Sequence, residues 1–553
     1  MTLANVQARP QVVIVGAGPT GLALAIELGS RDIPCLLVER TERGGHAPRA
    51  KTTHVRTREH MRRWGIAGKL AAMSPFGIDY PSDVHFVTRL NGYRLARFED
   101  SLNCAPRRDD RYSEHGQWIP QYKLEAVLRE HAASIPSVQM MFGKEYLGFT
   151  QDSDTVQVAL RDVASGHELR VETSYLVGAD GARSLVRENI GAQMVGTYGL
   201  SRNYNIIFHA PGLAEAHSQG PGIMYWQVNA EMPSLIGRMD ENDLWYFMPT
   251  MLPKDVTLSD EEAVDLIRRS TGIDLPYRIL SSDEWVASRL LADNYSLGRV
   301  FLAGDACHLH PPFGGFGMNM GVSDAVDLGW KLAARLQGWG GPALLDSYEA
   351  ERRPVHEMVL DEAENNHAVL ANQLFRAGIE DDTPEGAQIR EDVAALIHRT
   401  KYQEFNALGV VLGYRYLNSP IIVDDGSSAG WTMTRDYEPS AAPGALAPHR
   451  WLDDGRSLYD LFGTGFTLLV MGDGMTAEIE KAQRASSALD APLTIVDLPG
   501  SGLDQLYGGR LALIRPDQHV AWRGNAWPGD DIFAVVTGQR ADAATSLPAM
   551  ATR

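Results

Sequence analysis

Residues Gln11–Arg40 read QVVIVGAGPTGLALAIELGSRDIPCLLVER, and the fold of the chain is read outward from them. Val12–Val15 is apolar without alternation, the mark of a strand buried on both faces of a parallel sheet. Gly16-Ala17-Gly18-Pro19-Thr20-Gly21 then opens a helix whose apolar face carries Leu22, Ala25 and Ile26. The first glycine allows the tight turn, the second lets the backbone approach a pyrophosphate, and the third lets helix and strand pack closely. Unpaired amides and the helix dipole favour phosphate charge at that end. Gly16, Gly18, Pro19, Thr20 and Gly21 are therefore expected to hold a dinucleotide. A second strand from Cys35 ends on Glu39, where a carboxylate accepts bonds from ribose hydroxyls and repels a 2′-phosphate. That favours FAD or NAD over NADP as the resident nucleotide, and the neighbouring Arg40 joins the nucleotide candidates.

The later course of the chain decides between FAD and NAD. An NAD domain continues in compact strand–helix units. Here residues 155–184, TVQVALRDVASGHELRVETSYLVGADGARS, alternate around a Ser165-Gly166 turn. They then give a buried strand ending at Gly178-Ala179-Asp180-Gly181. A further return comes at Val300–Ala303, ending on Gly304-Asp305. One nucleotide fold assembled from three distant pieces is an FAD pattern.

The last piece continues as GRVFLAGDACHLHPPFGGFGMNMG, residues 298–321. In an extended chain His308 and His310 share a face opposite Cys307, so the three do not converge, and no metal is expected. A planar cofactor uses every feature. Asp305, at a strand end, suits ribityl hydroxyls. Pro311 and Pro312 hold the chain extended, while Gly315 and Gly317 let backbone lie along a ring. The helix beginning near Met318-Asn319 points positive partial charge at the loop, which suits the negative charge of a reduced flavin. Cys307 and the two histidines read as structural.

On these tracts the chain resembles the class A flavoprotein aromatic hydroxylases of the para-hydroxybenzoate hydroxylase and phenol hydroxylase type. The matching pieces are VVIVGAGPTGLALAIEL, APRAKTTHVRTREHMRRWGI, YLVGADGARSLVR, the tract from Gly298 and SYEAERRPV, spread over about residues 10–360. The resemblance implies an α/β fold: an FAD-binding Rossmann-like domain of glutathione reductase type, a β-sheet substrate domain and a thioredoxin-like C-terminal domain. It implies Glu39 at the adenosine ribose, Arg49 near the pyrophosphate, Gln121 beside the flavin, and Asp180 and Gly181 in a motif shared with nicotinamide handling. Asp305, Pro312, Met318 and Asn319 would line the ribityl chain and flavin. Two positions depart from the pattern. Asp327 stands where many relatives carry Asn and is expected on the helix surface. Lys51 follows the PRA tract where some phenol-acting relatives carry an acid or histidine, so no substrate-activating base carries over there.

The expected domain pieces are residues 1–78, 115–200 and 285–400 for FAD, the last including a long helix, and 79–114 and 201–284 for the substrate. Residues 401–553 form a linker and the C-terminal domain. With no cysteine after Cys307, thiol redox chemistry is excluded from that domain. Its expected roles are structural support and homo-oligomer contacts. NYNIIFHA, IMYWQVN, SLIGRM and DLWYFMP alternate with period two and roof the substrate in the resemblance. Tyr225, Trp226, Trp245 and Phe247 are candidates for ring contacts, and core packing accounts for each equally well. Arg238 suits an anionic substrate or a strand cap. His54 has the ordinary pKa for deprotonating a phenol and also suits a structural hydrogen bond.

The chain has 553 residues, enough for two or three domains, with 44% hydrophobic and 22% charged residues. Its net charge of −19 argues against nucleic-acid and anionic-membrane partners. Three scattered cysteines fit a reducing compartment. Without a signal-type N-terminus or a membrane-length apolar run, the expectation is a cytoplasmic protein. The expected reaction is hydroxylation of an activated aromatic or heteroaromatic ring, with FAD resident, NAD(P)H as transient reductant and O2 added to reduced flavin as a C4a-hydroperoxide. Epoxidation, Baeyer–Villiger insertion and a non-catalytic FAD-fold binding protein are the alternatives. The WxWxIP tract of flavin halogenases is absent, and so is the cysteine pair of flavin disulfide reductases.

Overall fold

The computed structural model describes residues 9–42, 50–240, 242–250, 252 and 257–540; Arg49 lies outside them. Val12–Val15 is the fourth strand across a six-stranded sheet. It pairs in parallel with Cys35–Glu39 on one side and Tyr175–Gly178 on the other. Val300–Leu302 extends the sheet beyond Tyr175–Gly178, and Val138–Phe142 beyond Cys35–Glu39. All four residues of the first strand are buried, and each full burial of a Val or Ile contributes roughly 1.5–3 kcal/mol.

The helix Pro19–Gly29 crosses this sheet and packs against a longer one, Phe316–Gln337. Their approach depends on small residues. A Cβ on Gly304 would come within 2.6 Å of Thr20 Oγ1, and one on Gly321 within 3.2 Å of the Gly304 Cα. First helix, third return strand and flavin-loop helix therefore meet at a point where no larger side chain fits.

The second layer is an eight-stranded sheet. Two long strands, Met194–His209 and Arg278–Ala292, run antiparallel and carry the chain out of the nucleotide layer and back. Residues 200 and 284, where domain boundaries are expected, lie within these two strands. The helix Asp260–Thr271 covers one face of this sheet, with Tyr204, Ile206, Phe208, Tyr225, Trp245 and Phe247 beneath it. The other face carries Phe86, Ile207, Trp226 and Tyr246. Phe313, from the loop before Phe316–Gln337, packs there, as do residues of the helices Ala371–Leu374 and Pro384–Phe405.

The C-terminal domain has the thioredoxin-like arrangement. Phe466–Val470 pairs in parallel with Leu493–Asp497 through the helix Thr476–Ser487, and antiparallel with Leu511–Ile514, which pairs with Val520–Gly524. It is fastened to the nucleotide domain by buried charge. Arg515 bonds Asp327 (3.0 Å), Glu351 (2.5 and 2.9 Å) and Asp517 (2.6 Å), while Lys331 bonds Asp327 (2.8 Å) and Glu351 (2.6 Å). Asp327 is thus 1% exposed, not on the helix surface, because its face of the helix meets the C-terminal domain. Burial pushes its carboxyl up, to about 8. Burial alone would raise Glu351 as well, but Arg515 and Lys331 draw it down to about 2.

Candidate active site

Gly16 adopts φ +105°, a backbone region that L side chains avoid, and a Cβ there would strike the Ala179 carbonyl. The glycine turn is thus pressed against Gly178–Asp180 from the second return strand. The helix Pro19–Gly29 begins with Gly18 at its cap, a proline in its first turn, no capping side chain and no acidic residue there. Glu39 lies across the turn, Oε2 accepting from the Ala17 amide at 3.0 Å and Oε1 from the Thr41 amide at 3.0 Å. Exposed Arg40 sits 3.9 Å from Glu145. Asp180 accepts from Ser184 Oγ (2.5 Å) and the Val186 amide (3.1 Å), and burial raises its carboxyl. Gly181 follows at φ +81°. An uncapped helix N-terminus, a cradle that a Cβ would fill and a carboxylate at its rim fit the pyrophosphate and ribose of FAD.

The loop from Asp305 leads to the second uncapped helix, with Gly315 at the cap at φ +70°. Asp305, Gly317 and Met318 are half-buried and Pro312 is exposed. Asn319 is consumed inside the protein. Its Oδ1 accepts from the His54 amide (2.9 Å) and Thr57 Oγ1 (2.7 Å), and its Nδ2 donates to Thr52 O (3.1 Å) and Gly315 O (2.7 Å). It therefore bolts the loop to the segment after Lys51. His54 adds a second bolt, Nε2 donating to Gly314 O at 2.9 Å, with its ring edge-on to Phe316. Burial drives the His54 pKa down to about 4, although the bond to Gly314 opposes this. The imidazole is neutral at ordinary pH and braces the loop. Gln121 supports the same segment, accepting from the Ala50 amide at 3.0 Å and donating to Glu125 at 2.8 Å.

The pocket candidates on the sheet separate by strand parity. Tyr225 and Trp245 face the helix Asp260–Thr271, away from the flavin loop, with Tyr225 donating to Gly220 O at 2.6 Å. Their neighbours Trp226 and Tyr246 face the loop: the Trp226 and Phe313 rings lie 5.7 Å apart. Alternation is visible in MYWQ and LWYFMP, but both faces are aromatic, so pattern alone does not say which is inward. Half-buried Arg238 lies over the Phe76 ring at 4.6 Å. Trp118, on the inner side, stacks near Phe76 at 6.1 Å. Sequence reasoning missed Tyr246 and gave no role to Lys51, whose ammonium sits 4.2 Å from the Tyr246 ring centre.

Cys307, His308 and Asp324 gather within 4.8 Å, a triad hidden in the sequence because Asp324 comes one helical segment later. Asp324 is already committed to cations and donors. It bonds the Gly304 amide (3.0 Å), His308 Nε2 (2.9 Å), Arg352 Nε (2.8 Å) and His356 Nε2 (2.8 Å). That set holds the turn into the flavin loop, and burial pushes the Cys307 thiol well up.

The nucleotide cradle, the flavin loop and the aromatic roof define a flavoprotein oxygenase. The family comparison agrees: a model described as FAD binding domain matches residues 9–363, and one described as aromatic-ring hydroxylase, C-terminal, matches residues 440–543. The chain belongs to the FAD-dependent aromatic-ring hydroxylases. It is 32% identical to tetracenomycin B2 monooxygenase-dioxygenase of Streptomyces olivaceus, over 95% of this chain and 97% of that one. It is 30% identical to phenol 2-monooxygenase of a Pseudomonas species, over 96% and 92% respectively. Among solved structures, the rebeccamycin biosynthetic enzyme RebC with reduced flavin superposes with a TM-score of 0.87 at 34% identity, covering 96% of this chain and 99% of that one. Aklavinone-11 hydroxylase with FAD and aklavinone gives 0.82 at 27% identity, covering 96% and 99%. This chain is an FAD-dependent monooxygenase acting on small aromatic substrates with O2.

Proposed function

We propose that the chain hydroxylates an aromatic ring that already carries a hydroxyl group, bound between Trp226 and Tyr246 of the sheet and the loop 311–317. The observation that carries this reading is Phe313, which joins the flavin loop to the aromatic face of the sheet. A ring held there lies against whatever the loop cradles. Relatives named for phenol, tetracenomycin and aklavinone chemistry support a phenolic or polycyclic phenolic substrate. Three free, buried cysteines suit a reducing compartment such as the cytoplasm.

When bound, FAD supplies the electron relay from NADH or NADPH and the activation of O2. The chain's own residues supply position and charge. The uncapped N-terminus at Gly315 presents positive partial charge along the loop, where negative charge develops on reduction. Asn319 and His54 fix that loop from behind, so the orientation is set before a substrate arrives. Trp226, Tyr246 and Phe313 offer flat apolar faces that orient a ring and exclude water.

The test is oxidation of NADH and NADPH by FAD-loaded protein across simple phenols, hydroxypyridines and polycyclic phenols, with peroxide measured alongside. Stimulation without matching peroxide supports hydroxylation. No stimulation by any hydroxylated ring overturns the reading.

A further inference from the structure

One turn of the C-terminal domain grips both helices that set the flavin loop. Residues 515–519 join the strands Leu511–Ile514 and Val520–Gly524, and all five are buried. Their backbone closes on itself, the Gln518 amide donating to Arg515 O at 2.9 Å and the Arg515 amide to His519 O at 2.8 Å. From this turn Arg515 bonds Asp327, on the helix Phe316–Gln337 that leaves the flavin loop. From the same turn Gln518 Oε1 accepts from Arg56 Nη1 at 2.7 Å, and Asp517 O accepts from Arg56 Nη2 at 2.7 Å. Arg56 lies on the helix Val55–Arg63, whose N-cap is His54. That helix and Phe316–Gln337 are joined at their loop ends, where Asn319 takes the His54 amide and Thr57 Oγ1. The two helices are therefore tied twice, once at the loop and once by the distant turn.

Gln518 sits at φ +70°, in the left-handed region that is unfavourable for a side chain and open to glycine. A hairpin turn that only connects two strands favours glycine or asparagine at such a position. Gln518 is 3% exposed, so its amide works inside the protein, and its bond to Arg56 crosses 462 positions. Arg56 Nη1 also donates to Glu59 at 2.9 Å, which anchors the guanidinium on its own helix. The strained backbone and the long reach have one common product: a polar bond to the helix that braces the loop.

We propose that the turn 515–519 is a clamp that positions the flavin loop, with Gln518 and Arg56 as its positioning residues. By holding Val55–Arg63 against Phe316–Gln337 at a point behind the loop, the clamp fixes where His54 meets Gly314 O. The C-terminal domain thus acts on the cofactor site through two helices, and its docking and the binding of FAD favour each other. The inference rests on FAD binding at the loop and is independent of which aromatic ring is hydroxylated.

The experiment uses the full chain as wild type, Gln518→Gly, Gln518→Glu and Arg56→Lys. Gln518→Gly is the decisive variant: relief of the left-handed backbone counters the lost bond, so the fold is kept. Titrated with FAD, the flavin-free Gln518→Gly protein is expected to bind about fivefold or more weakly than wild type. The visible spectrum of its bound flavin should shift, while the thermal midpoint of the flavin-free protein stays near that of wild type. Gln518→Glu keeps an acceptor for Arg56 and should restore affinity and spectrum. Arg56→Lys keeps the charge beside Glu59 but has no fork to span two acceptors. It is expected to reproduce the loss, and adding Gln518→Gly to it should weaken FAD little further. Wild-type FAD affinity and spectrum in Gln518→Gly overturn the clamp, and so does a loss that Gln518→Glu leaves unreversed. None of these readouts uses an aromatic substrate, so failure of the clamp and failure of the hydroxylase reading are told apart.

Discussion

At the scale of single residues, the cofactor site is built by what is absent from side chains. Gly16 is the sharpest case, since its positive φ and the Ala179 carbonyl both exclude a Cβ. Gly16→Ala is expected to push the turn away from Gly178–Asp180 and to leave purified protein with well under half its FAD, read from the flavin absorbance per polypeptide. Strain of about 1 kcal/mol or more accompanies such a φ in a non-glycine residue. The glycine spacing and Glu39 were legible in the sequence because backbone approach to a phosphate imposes that pattern locally. The work of Asn319 and His54 was not. Asn319 takes the His54 amide and Thr57 Oγ1, and His54 reaches Gly314 O, each across more than two hundred positions, and no periodicity carries such a pairing. Asp327 was misplaced for the same reason: an amphipathic helix shows which face is polar, but not that a distant arginine will bury it.

At the scale of elements, parity in the substrate sheet decides which aromatic side chains matter to a bound ring. Cross-strand register sets Gly237 opposite Tyr246 and Arg238 opposite Trp245, and successive side chains point to opposite faces. Tyr246→Leu is therefore expected to raise KM for a phenolic substrate by about tenfold or more, the worth of an oriented aromatic contact together with its buried area. Trp245→Leu, one residue earlier, is expected to lower the unfolding midpoint with KM little changed, since its ring lies beneath the helix Asp260–Thr271. Steady-state kinetics and thermal melts on the two variants separate the faces. The strands themselves were readable from their alternation. Choosing the inward face required Phe313, whose contact with Trp226 spans 87 residues of sequence (226 to 313).

At the scale of the whole molecule, buried charge governs stability. Removing Arg515 by Arg515→Ala leaves Asp327, Glu351 and Asp517 around one remaining ammonium, Lys331. Breaking a buried pair of this kind costs about 3–5 kcal/mol. The expected result in denaturant is a large fall in the midpoint, or two transitions in place of one as the C-terminal domain comes free. Acid acts through histidines. Burial, the leading cause in each, lowers His54, His217 and His449 to about 4. An unfolded chain takes up these protons near pH 6.5, so between about 6.5 and 4 the unfolded state binds more protons and stability falls as pH falls. Asp327, raised to about 8, pulls the other way together with the raised carboxyls of Glu59, Asp180 and Glu404, but the lowered histidines, which also include His60, His310 and His356, outnumber them. Melts of FAD-loaded protein at about pH 7.5, 6 and 5 should show a midpoint that declines through the lower two.

The six-stranded sheet also sets a timetable for synthesis. Val12–Val15 leaves the ribosome well before its neighbour Tyr175–Gly178 and the strand Val300–Leu302. Arg515, which with Lys331 answers the charge on Asp327 and Glu351, arrives later still. Until these segments emerge, the nascent chain holds an apolar strand without its later neighbours, and Lys331 alone faces the two acids. A chain released before Val300–Leu302 lacks the strand that leads into the flavin loop, and its nucleotide sheet stays incomplete.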